Sequence, residues 1–384
     1  MKVYLDNCAT TKVRDEVLTE MIDIYSNEYG NPSSLHRMGL NVEKKINIAR
    51  KNLATLINAS QDEVLFTSGG TESNNLAINS HVLKLNKNNN IVTTAIEHPS
   101  VYNVFKQYEK NGYDVRYINT DKFGFIKFSD LENLVDEKTG LISIIYVNNE
   151  IGTIQKLDEI IKFVKSKNNR IKIHIDAIQA LGKIQIDVKK LNIDTMSFSS
   201  HKVHGPKGVG GLYVNCKANL EALMYGGGQE KSIRPGTENA PGIIGFSKAC
   251  ELIKNDIKEE LKKLNLLKLS YANRLQEQIE DISINSMLDE SGAPHILSVS
   301  FKDVKAEVLV HYLENYDIFV STGAACSSKS KSESRTLESI GLSHNLMDGT
   351  IRISFGYFNN LEEVEYTVDK IKNSVEEIRK ITRY

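Results

Sequence analysis

Short apolar runs alternate with segments of helical apolar spacing over much of this chain. The runs occupy residues 64–67, 91–95, 115–118, 141–147, 172–176, the segment ending at Phe198, and 209–214. Helical spacing is clear in residues 36–58, where Ile46, Ala49 and Leu53 recur on one face. Strands that are apolar on both faces and alternate with helices form a mainly parallel sheet between helical layers. The sequence therefore predicts an α/β fold.

The C-terminal part of the chain has a different pattern. From Pro241 to about Ile282 it reads as one long, charged amphipathic helix. Strand patterns follow at 295–301, 319–321 and 351–355, with helical patterns at about 305–315 and 361–380. This mixture predicts a smaller α+β unit that the long helix joins to the sheet. We therefore predict a large domain of residues 13–255 and a small domain of residues 256–384 together with 1–12.

The charges of the chain are balanced. Lys and Arg number 48 and Asp and Glu number 49, which gives a net charge of -1. No overall field attracts nucleic acid or an anionic membrane, so we expect neither as a direct partner. The longest strongly apolar run, 141–147, is far shorter than a membrane span, and Asp6 interrupts the start where a signal peptide would be apolar. We therefore predict a cytoplasmic protein.

The cysteine pattern agrees with that location. The four cysteines, at positions 8, 216, 250 and 326, form no Cys-x-x-Cys pair and no disulfide-like spacing. Such usage is typical of reduced thiols in a reducing compartment, and we expect no metal site. Each cysteine is either a small buried apolar side chain or a reactive thiol.

Lys202 is the first candidate for chemistry. It ends the tetrapeptide Ser199-Ser200-His201-Lys202, between an apolar run and the turn sequence at 205–208. Burial beside polar partners lowers the pKa of a lysine and makes its amine nucleophilic, as imine chemistry requires. Most lysines are instead solvated surface charges, so Lys202 alone decides nothing.

Three further motifs accompany this lysine. They are Ser68-Gly69-Gly70-Thr71-Glu72-Ser73, Glu97-His98 and His174-Ile175-Asp176-Ala177-Ile178-Gln179. In this order the motifs resemble those of the pyridoxal-phosphate (PLP) enzymes of fold type I. Within these they resemble the cysteine desulfurases of the NifS/IscS group, in the class-V aminotransferase family. The resemblance extends from residues 4–11 to residues 351–356. It implies a PLP-binding large domain with a mainly parallel sheet between helices, and a smaller α+β C-terminal domain.

The resemblance implies a role for each residue around the cofactor ring. Lys202 would bind PLP covalently, Asp176 would pair with the ring nitrogen, and His98 would stack on the ring. Gln179 and Asn149 would bond the region of the ring hydroxyl. From the residues alone, Asp176 could instead be a helix N-cap or a turn residue, and His98 could simply cap the helix that follows it.

The resemblance also implies how the phosphate is held. The residues concerned are Gly70, Thr71, Ser199 and His201, with Thr237 of the partner subunit. A residue that reaches across subunits implies a homodimer with shared sites. Without the resemblance, the glycine pair before Thr71 is equally explained as a turn at the end of a strand, although free amides at a helix start do favour anions.

Two residues define the substrate side of this resemblance. Arg352 corresponds to the arginine that clamps the substrate carboxylate, for which its two-pronged guanidinium is suited. Cys326 precedes a serine- and lysine-rich stretch at 327–335, from which a mobile loop could carry its thiolate between the cofactor and an acceptor. A structural cysteine would more often lie within an apolar run, as Cys250 does.

The implied reaction is desulfuration of L-cysteine to L-alanine, with the sulfur held as a persulfide on Cys326. The acceptor would be an iron-sulfur scaffold or a tRNA-thiolating enzyme, because the stretch after Cys326 resembles the long-loop class. One alternative is a selenocysteine lyase or another PLP-dependent β-eliminating enzyme of the same fold. Another is a scaffold protein whose catalysis is vestigial.

The chain departs from the family pattern at three positions near the expected site. Ser200 stands where many relatives have glycine, Gly70 where many have alanine, and Ile178 where threonine is frequent. The missing hydroxyl at 178 removes a potential hydrogen bond worth about 1 kcal/mol. None of the three changes removes an essential group.

Overall fold

The computed structural model describes residues 1–322 and 334–382. Its strands are β1 (Val3–Tyr4), β2 (Val64–Thr67), β3 (Asn90–Thr94), β4 (Asp114–Ile118), β5 (Thr139–Ile145), β6 (Lys172–Asp176), β7 (Thr195–Ser199), β8 (Gly210–Val214), β9 (Ile282–Ile284), β10 (Ile296–Phe301), β11 (Ile318–Phe319), β12 (Ser321–Thr322) and β13 (Thr350–Ser354). Its α-helices are α1 (Asp15–Ser26), α2 (Arg37–Leu56), α3 (Gly70–Val82), α4 (Pro99–Lys110), α5 (Phe128–Leu134), α6 (Leu157–Lys167), α7 (Val188–Leu191), α8 (Ala240–Gln278), α9 (Ala306–Glu314), α10 (Arg335–Ser339), α11 (His344–Asp348) and α12 (Glu362–Thr382).

The larger sheet has the order β2-β8-β7-β6-β5-β3-β4. Strands β4, β3, β5, β6 and β7 run parallel, and β8 is antiparallel to both β7 and β2. Every residue of β3, β5 and β7 is buried, because helices cover both faces of the sheet. The predicted mainly parallel sheet is confirmed.

The smaller sheet is antiparallel, in the order β12-β13-β10-β9. Beside it, β1 at the start of the chain pairs in parallel with β11. Val3 and Leu5 accordingly join the hydrophobic core of the C-terminal part. The prediction of one strand at 319–321 is wrong in detail. Val320 belongs to neither strand, and it separates β11, which pairs with β1, from β12, which pairs with β13.

Helix α8 connects the two cores. It has 39 residues and, at 1.5 Å per residue, is about 58 Å long. Its first half buries Ile243 and Phe246 in the core of the larger sheet, and its second half buries Leu267 and Tyr271 in the second core. The long linking helix is confirmed. The predicted domain division at residue 255 falls within it and stays a prediction.

No helix among the described residues is long and apolar enough to cross a membrane.

Candidate active site

A cavity of about 330 Å³ opens at the carboxyl ends of the parallel strands, where α/β folds usually bind ligands. Strands β5, β6 and β7 each end there, and α3 and the turn before α4 close its sides. Its lining consists of Cys8, Ala9, Gly70, Thr71, His98, Ile145, Asn149, Asp176, Ile178, Gln179, Ser199, His201, Lys202 and Arg352. Ten of the twelve residues predicted for the site therefore line one cavity.

Lys202 enters the cavity from the short 3₁₀ turn Ser200–Lys202, directly after β7. Its Nζ donates hydrogen bonds to the carbonyl oxygens of Cys8 and Ala9, the latter at 2.8 Å. The N-terminal segment is itself fixed on this turn, because the backbone N–H of Thr11 donates to the carbonyl of His201 at 2.9 Å. The lysine amine is thus held at the cavity wall by main-chain acceptors, which the sequence analysis did not foresee.

Asp176 is the last residue of β6 and is only 2% exposed. Its Oδ1 accepts a hydrogen bond from the backbone N–H of Ile178 at 3.0 Å, and its Oδ2 accepts one from Asn74 Nδ2 at 2.9 Å. Burial raises the pKa of this carboxyl, whereas the two hydrogen bonds and the charge of Lys202 lower it. A buried carboxylate that lacks a full counter-charge favours a cationic ligand such as a protonated ring nitrogen.

His98 both caps a helix and lines the cavity, so its two predicted roles are compatible. It is the N-cap of α4, and its Nδ1 accepts from the backbone N–H of Ser100 at 3.1 Å. Ser100 Oγ lies 2.8 Å from the same nitrogen. Burial lowers the pKa of His98 to about 4, and nearby positive charges act in the same direction. The imidazole is therefore neutral at physiological pH.

The anion-binding end of the cavity lies at the start of α3. Gly70 is the first residue of that 13-residue helix, whose N-terminus carries partial positive charge. Ser199 Oγ is buried and has no hydrogen-bond partner among the described residues, so a donor is available there. Thr71 and His201 complete this side of the lining. The donors fit a phosphate group.

Gly70 and Ile178 are two departures from the family pattern that meet in space. A Cβ atom at Gly70 would lie 2.2 Å from Ile178 Cδ1, a distance that no real contact allows. The isoleucine side chain therefore occupies the space that an alanine methyl at 70 would need. The larger residue at 178 and the smaller one at 70 compensate each other.

Arg352 reaches the cavity from β13 of the smaller sheet and is 4% exposed. Its guanidinium donates to the Asn149 carbonyl at 2.7 Å and to Asp6 Oδ1 at 3.0 Å. Its Nε is buried and has no hydrogen-bond partner in the part of the chain that the structure describes. An arginine held in place with a donor left over is suited to binding a carboxylate.

Gln179 is held between the N-terminal segment, at Cys8, and the C-terminal part of the chain, at His295. Its Nε2 donates to the Cys8 carbonyl at 3.1 Å, and its Oε1 lies 3.2 Å from Nε2 of the buried His295. Asn149, the other residue predicted for the ring-hydroxyl region, also lines the cavity. The amide of Gln179 is therefore fixed in orientation before any ligand binds.

One predicted site residue that the structure describes does not line this cavity. Thr237 lies on an exposed segment just before α8 and is not among the lining residues. Cys326 lies outside the described residues. The structure adds lining residues that the sequence analysis did not select, of which Cys8 is a buried thiol whose pKa is raised by burial.

Comparisons with known proteins agree with this geometry. The model of the class-V aminotransferase family matches residues 3–367. A cysteine desulfurase IscS of Clostridium botulinum is 39% identical, over 99% of this chain and 96% of its own length. A solved NifS-like protein is 38% identical with a TM-score of 0.92, and the match covers 98% of this chain and 100% of that one.

A third relative is a solved structure of SspA in complex with cysteine. It is 32% identical with a TM-score of 0.78, and the match covers 92% of this chain and 99% of that one. Together, the full-length matches and the cavity identify the chain as a member of the class-V aminotransferase family, and within it of the NifS/IscS group of cysteine desulfurases.

Proposed function

We propose that this protein is a PLP-dependent cysteine desulfurase, which converts L-cysteine to L-alanine and holds the sulfur as a persulfide on Cys326. The observation that carries the proposal is the single cavity that contains an amine, a buried carboxylate and a carboxylate-binding arginine, Lys202, Asp176 and Arg352. Membership of the NifS/IscS group supports the reaction. The alternative of a selenocysteine lyase is not favoured, because the curated Clostridium botulinum relative, matched over 96% of its length, is a cysteine desulfurase.

The residues of the cavity fit PLP. Gly70, Thr71, Ser199 and His201 would hold its phosphate, and the buried Ser199 hydroxyl, which has no partner among the described residues, is a donor that a phosphate oxygen fits. Asp176 would hold the ring nitrogen, with Gln179 and Asn149 near the ring hydroxyl and His98 stacked on the ring. Lys202 would bind PLP covalently before the reaction, and PLP joined to the substrate amine would withdraw electrons from the carbon next to it.

Arg352 would hold the substrate carboxylate. Its contacts with Asp6 and the Asn149 carbonyl fix the guanidinium, so little side-chain freedom is lost when substrate binds. A substrate that carries both a carboxylate and an amine would then span the distance from Arg352 to Lys202. The SspA structure with bound cysteine supports an amino acid substrate of this kind.

The sulfur step conserves atoms and electrons. The carbon–sulfur bond of cysteine breaks, a sulfur–sulfur bond forms on Cys326, and alanine leaves after gaining a proton at its β-carbon. The attacking group is the thiolate, so Cys326 must lose its proton first. The persulfide then passes to an acceptor protein, which we propose is an iron-sulfur scaffold or a tRNA-thiolating enzyme. We place this chemistry in the cytoplasm.

We further propose a homodimer in which Thr237 of the partner subunit reaches the phosphate. Large apolar side chains exposed on the single chain support a subunit interface, among them Leu35 at 92% and Tyr225 at 93% exposure. Mixing Lys202→Ala with Thr237→Ala subunits tests the sharing of sites. Hybrid dimers should regain activity at one of two sites, whereas hybrids no more active than either parent would contradict it.

The decisive experiment incubates the PLP-loaded protein with L-cysteine and measures alanine and protein-bound persulfide. Wild type should form both, and Cys326→Ser should form almost none of either, because a hydroxyl is a far poorer nucleophile than a thiolate. Cys216→Ser is the matched control, since Cys216 is an exposed thiol outside the cavity.

Wild-type turnover of Cys326→Ser, or mass spectrometry that finds the sulfur on another cysteine, would refute this mechanism. A parallel assay with L-selenocysteine tests the alternative, which requires Cys326→Ser to keep full activity on that substrate.

A further inference from the structure

Asn74 lies on α3 behind the cavity, where it is fully buried. Its amide group makes three contacts. Nδ2 donates to Asp176 Oδ2 at 2.9 Å and to Ser100 Oγ at 2.9 Å, while Oδ1 lies 3.0 Å from His174 Nε2. One side chain thus contacts two residues of β6, Asp176 and His174, and Ser100 of α4.

The direction of each hydrogen bond on the interior side follows from its neighbour. Asn74 Nδ2 must donate to an ionised Asp176, which leaves Oδ1 to accept from His174 Nε2. Burial lowers the pKa of His174 to about 3, so the ring is neutral and its Nδ1 must accept. The donor at that nitrogen is Thr195 Oγ1, 2.9 Å away, and Thr195 Oγ1 lies 3.3 Å from His81 Nε2. In this series of hydrogen bonds, each donor points along the path toward the Asp176 carboxylate.

The directions of the hydrogen bonds on the other side of Asn74 are fixed by the same donor and acceptor rules. Because Ser100 Oγ accepts from Asn74, its own proton is directed to His98 Nδ1, 2.8 Å away. The Ser100 backbone N–H donates to the same nitrogen, so Nδ1 of the neutral imidazole is an acceptor and its proton resides on Nε2. The backbone N–H thus fixes the tautomer of His98, and Asn74 sets the direction of the Ser100 hydroxyl against that ring.

We infer that Asn74 is a positioning residue whose single amide fixes the carboxylate for the ring nitrogen and orients the Ser100 hydroxyl that contacts the imidazole for the ring face. The inference rests on the proposed cofactor site and deepens it. Asn74 does not line the cavity, so it acts on a bound ring only through Asp176 and His98.

Asn74→Asp is the sharpest test because it keeps the shape of the side chain and removes the donor. A carboxylate would face Asp176 where an amide had donated, a change from attraction to repulsion. In the PLP-loaded enzyme we expect kcat to fall about tenfold or more, with KM for cysteine changed less than about threefold. We also expect the visible circular dichroism of bound PLP, which reports ring orientation, to change clearly.

Asn79→Asp is the matched control on the same helix. Among the described residues, Asn79 Nδ2 donates to the carbonyl of Asn75 alone, and its Oδ1 accepts from Tyr108 Oη at 2.6 Å, a bond that aspartate keeps. Both kinetics and circular dichroism should stay at wild-type values. Thermal unfolding of the cofactor-free proteins shows whether any effect of Asn74→Asp comes from loss of fold.

Ser100→Ala removes only a hydroxyl and tests the second branch even where Asn74→Asp does not fold. It should lower kcat several-fold without weakening PLP binding, because the bond from Asn74 to Asp176 remains. Unchanged kcat and dichroism in both Asn74→Asp and Ser100→Ala would overturn the inference while leaving the proposed function intact. A wild-type protein that binds no PLP would overturn both.

Discussion

The two ends of the cavity are built in different ways. Asp176, Ser199 and Lys202, which we call the cofactor side, all come from the ends of the adjacent strands β6 and β7 or from the turn after them. Arg352, with its partners Asp6 and the Asn149 carbonyl, forms what we call the carboxylate side. These three residues come from the smaller sheet, the N-terminal segment and a turn after β5 of the larger sheet.

The cofactor side is therefore fixed by one continuous sheet, whereas the carboxylate side depends on how three separate parts of the chain meet. Covalent continuity and buried ladder hydrogen bonds hold the first even when a side chain changes. In the second, an isolated bridge between Asp6 and Ser354 joins the N-terminal segment to β13, and the Arg352 side chain links both to the turn at Asn149. We expect changes on the cofactor side to alter turnover and PLP binding, and changes on the carboxylate side to alter mainly the affinity for substrate.

The largest effect should come from Asp176→Ala. Without the buried carboxylate, nothing in the cavity stabilises a protonated ring nitrogen, and kcat should fall about 10²–10³-fold at saturating PLP. Steady-state kinetics with L-cysteine would measure this. If KM rose by a similar factor while kcat stayed constant, the two sides would not be separable.

Arg352→Lys should raise KM for cysteine by about 10-fold to 100-fold, because an ammonium cannot donate two parallel hydrogen bonds to a carboxylate. Bound PLP should remain at the wild-type level by absorbance. Arg14→Lys is a suitable control, since Arg14 is a buried arginine outside the cavity that pairs with Glu16. Loss of PLP from Arg352→Lys would place Arg352 on the cofactor side.

Gly70→Ala sharpens the comparison within the cofactor side. The added methyl would collide with Ile178 Cδ1 and displace that side chain, so PLP should bind about tenfold more weakly. The double variant Gly70→Ala with Ile178→Thr should recover most of the loss. PLP titration of the four proteins gives the coupling between the two positions, and additive effects would show that they do not compensate each other.

The smallest effect on activity should come from Glu97→Gln, although its effect on stability depends on pH. Burial raises the pKa of Glu97 to about 8. Between the unfolded-state pKa of about 4.5 and that value, the unfolded chain gives up a proton that the folded protein keeps, so this group's contribution to stability falls as the pH rises.

Thermal unfolding at pH 5 and pH 8 would measure this contribution. The variant should lose less stability over that interval than wild type does. Equal pH dependence in the two proteins would mean that Glu97 is ionised in the fold. The neighbouring histidines have lowered pKa values and act in the opposite direction, so only the difference between the two proteins isolates Glu97.

The sequence predicted the residues of the cofactor side better than the residues that hold them in place. Asp176 and Lys202 stand where apolar runs end, and a strand end is visible in a linear pattern. Asn74 was not selected, because its partner His174 is 100 positions away and only the fold brings them together. The carbonyls of Cys8 and Ala9 were not foreseen for another reason. Every residue has a backbone carbonyl, so the sequence does not show which carbonyls accept a hydrogen bond from Lys202.

Helix α8 has a further consequence in the proposed dimer. Thr237 lies two residues before Asn239, which caps the start of this helix through its side chain. The far end of the same helix is embedded in the core of the smaller sheet. A helix is stiff along its axis. A movement of one subunit's C-terminal unit would therefore displace Thr237 and change its contact with the phosphate in the other subunit. The two active sites of the dimer would then be coupled, because substrate bound in one subunit could change the phosphate contacts in the other.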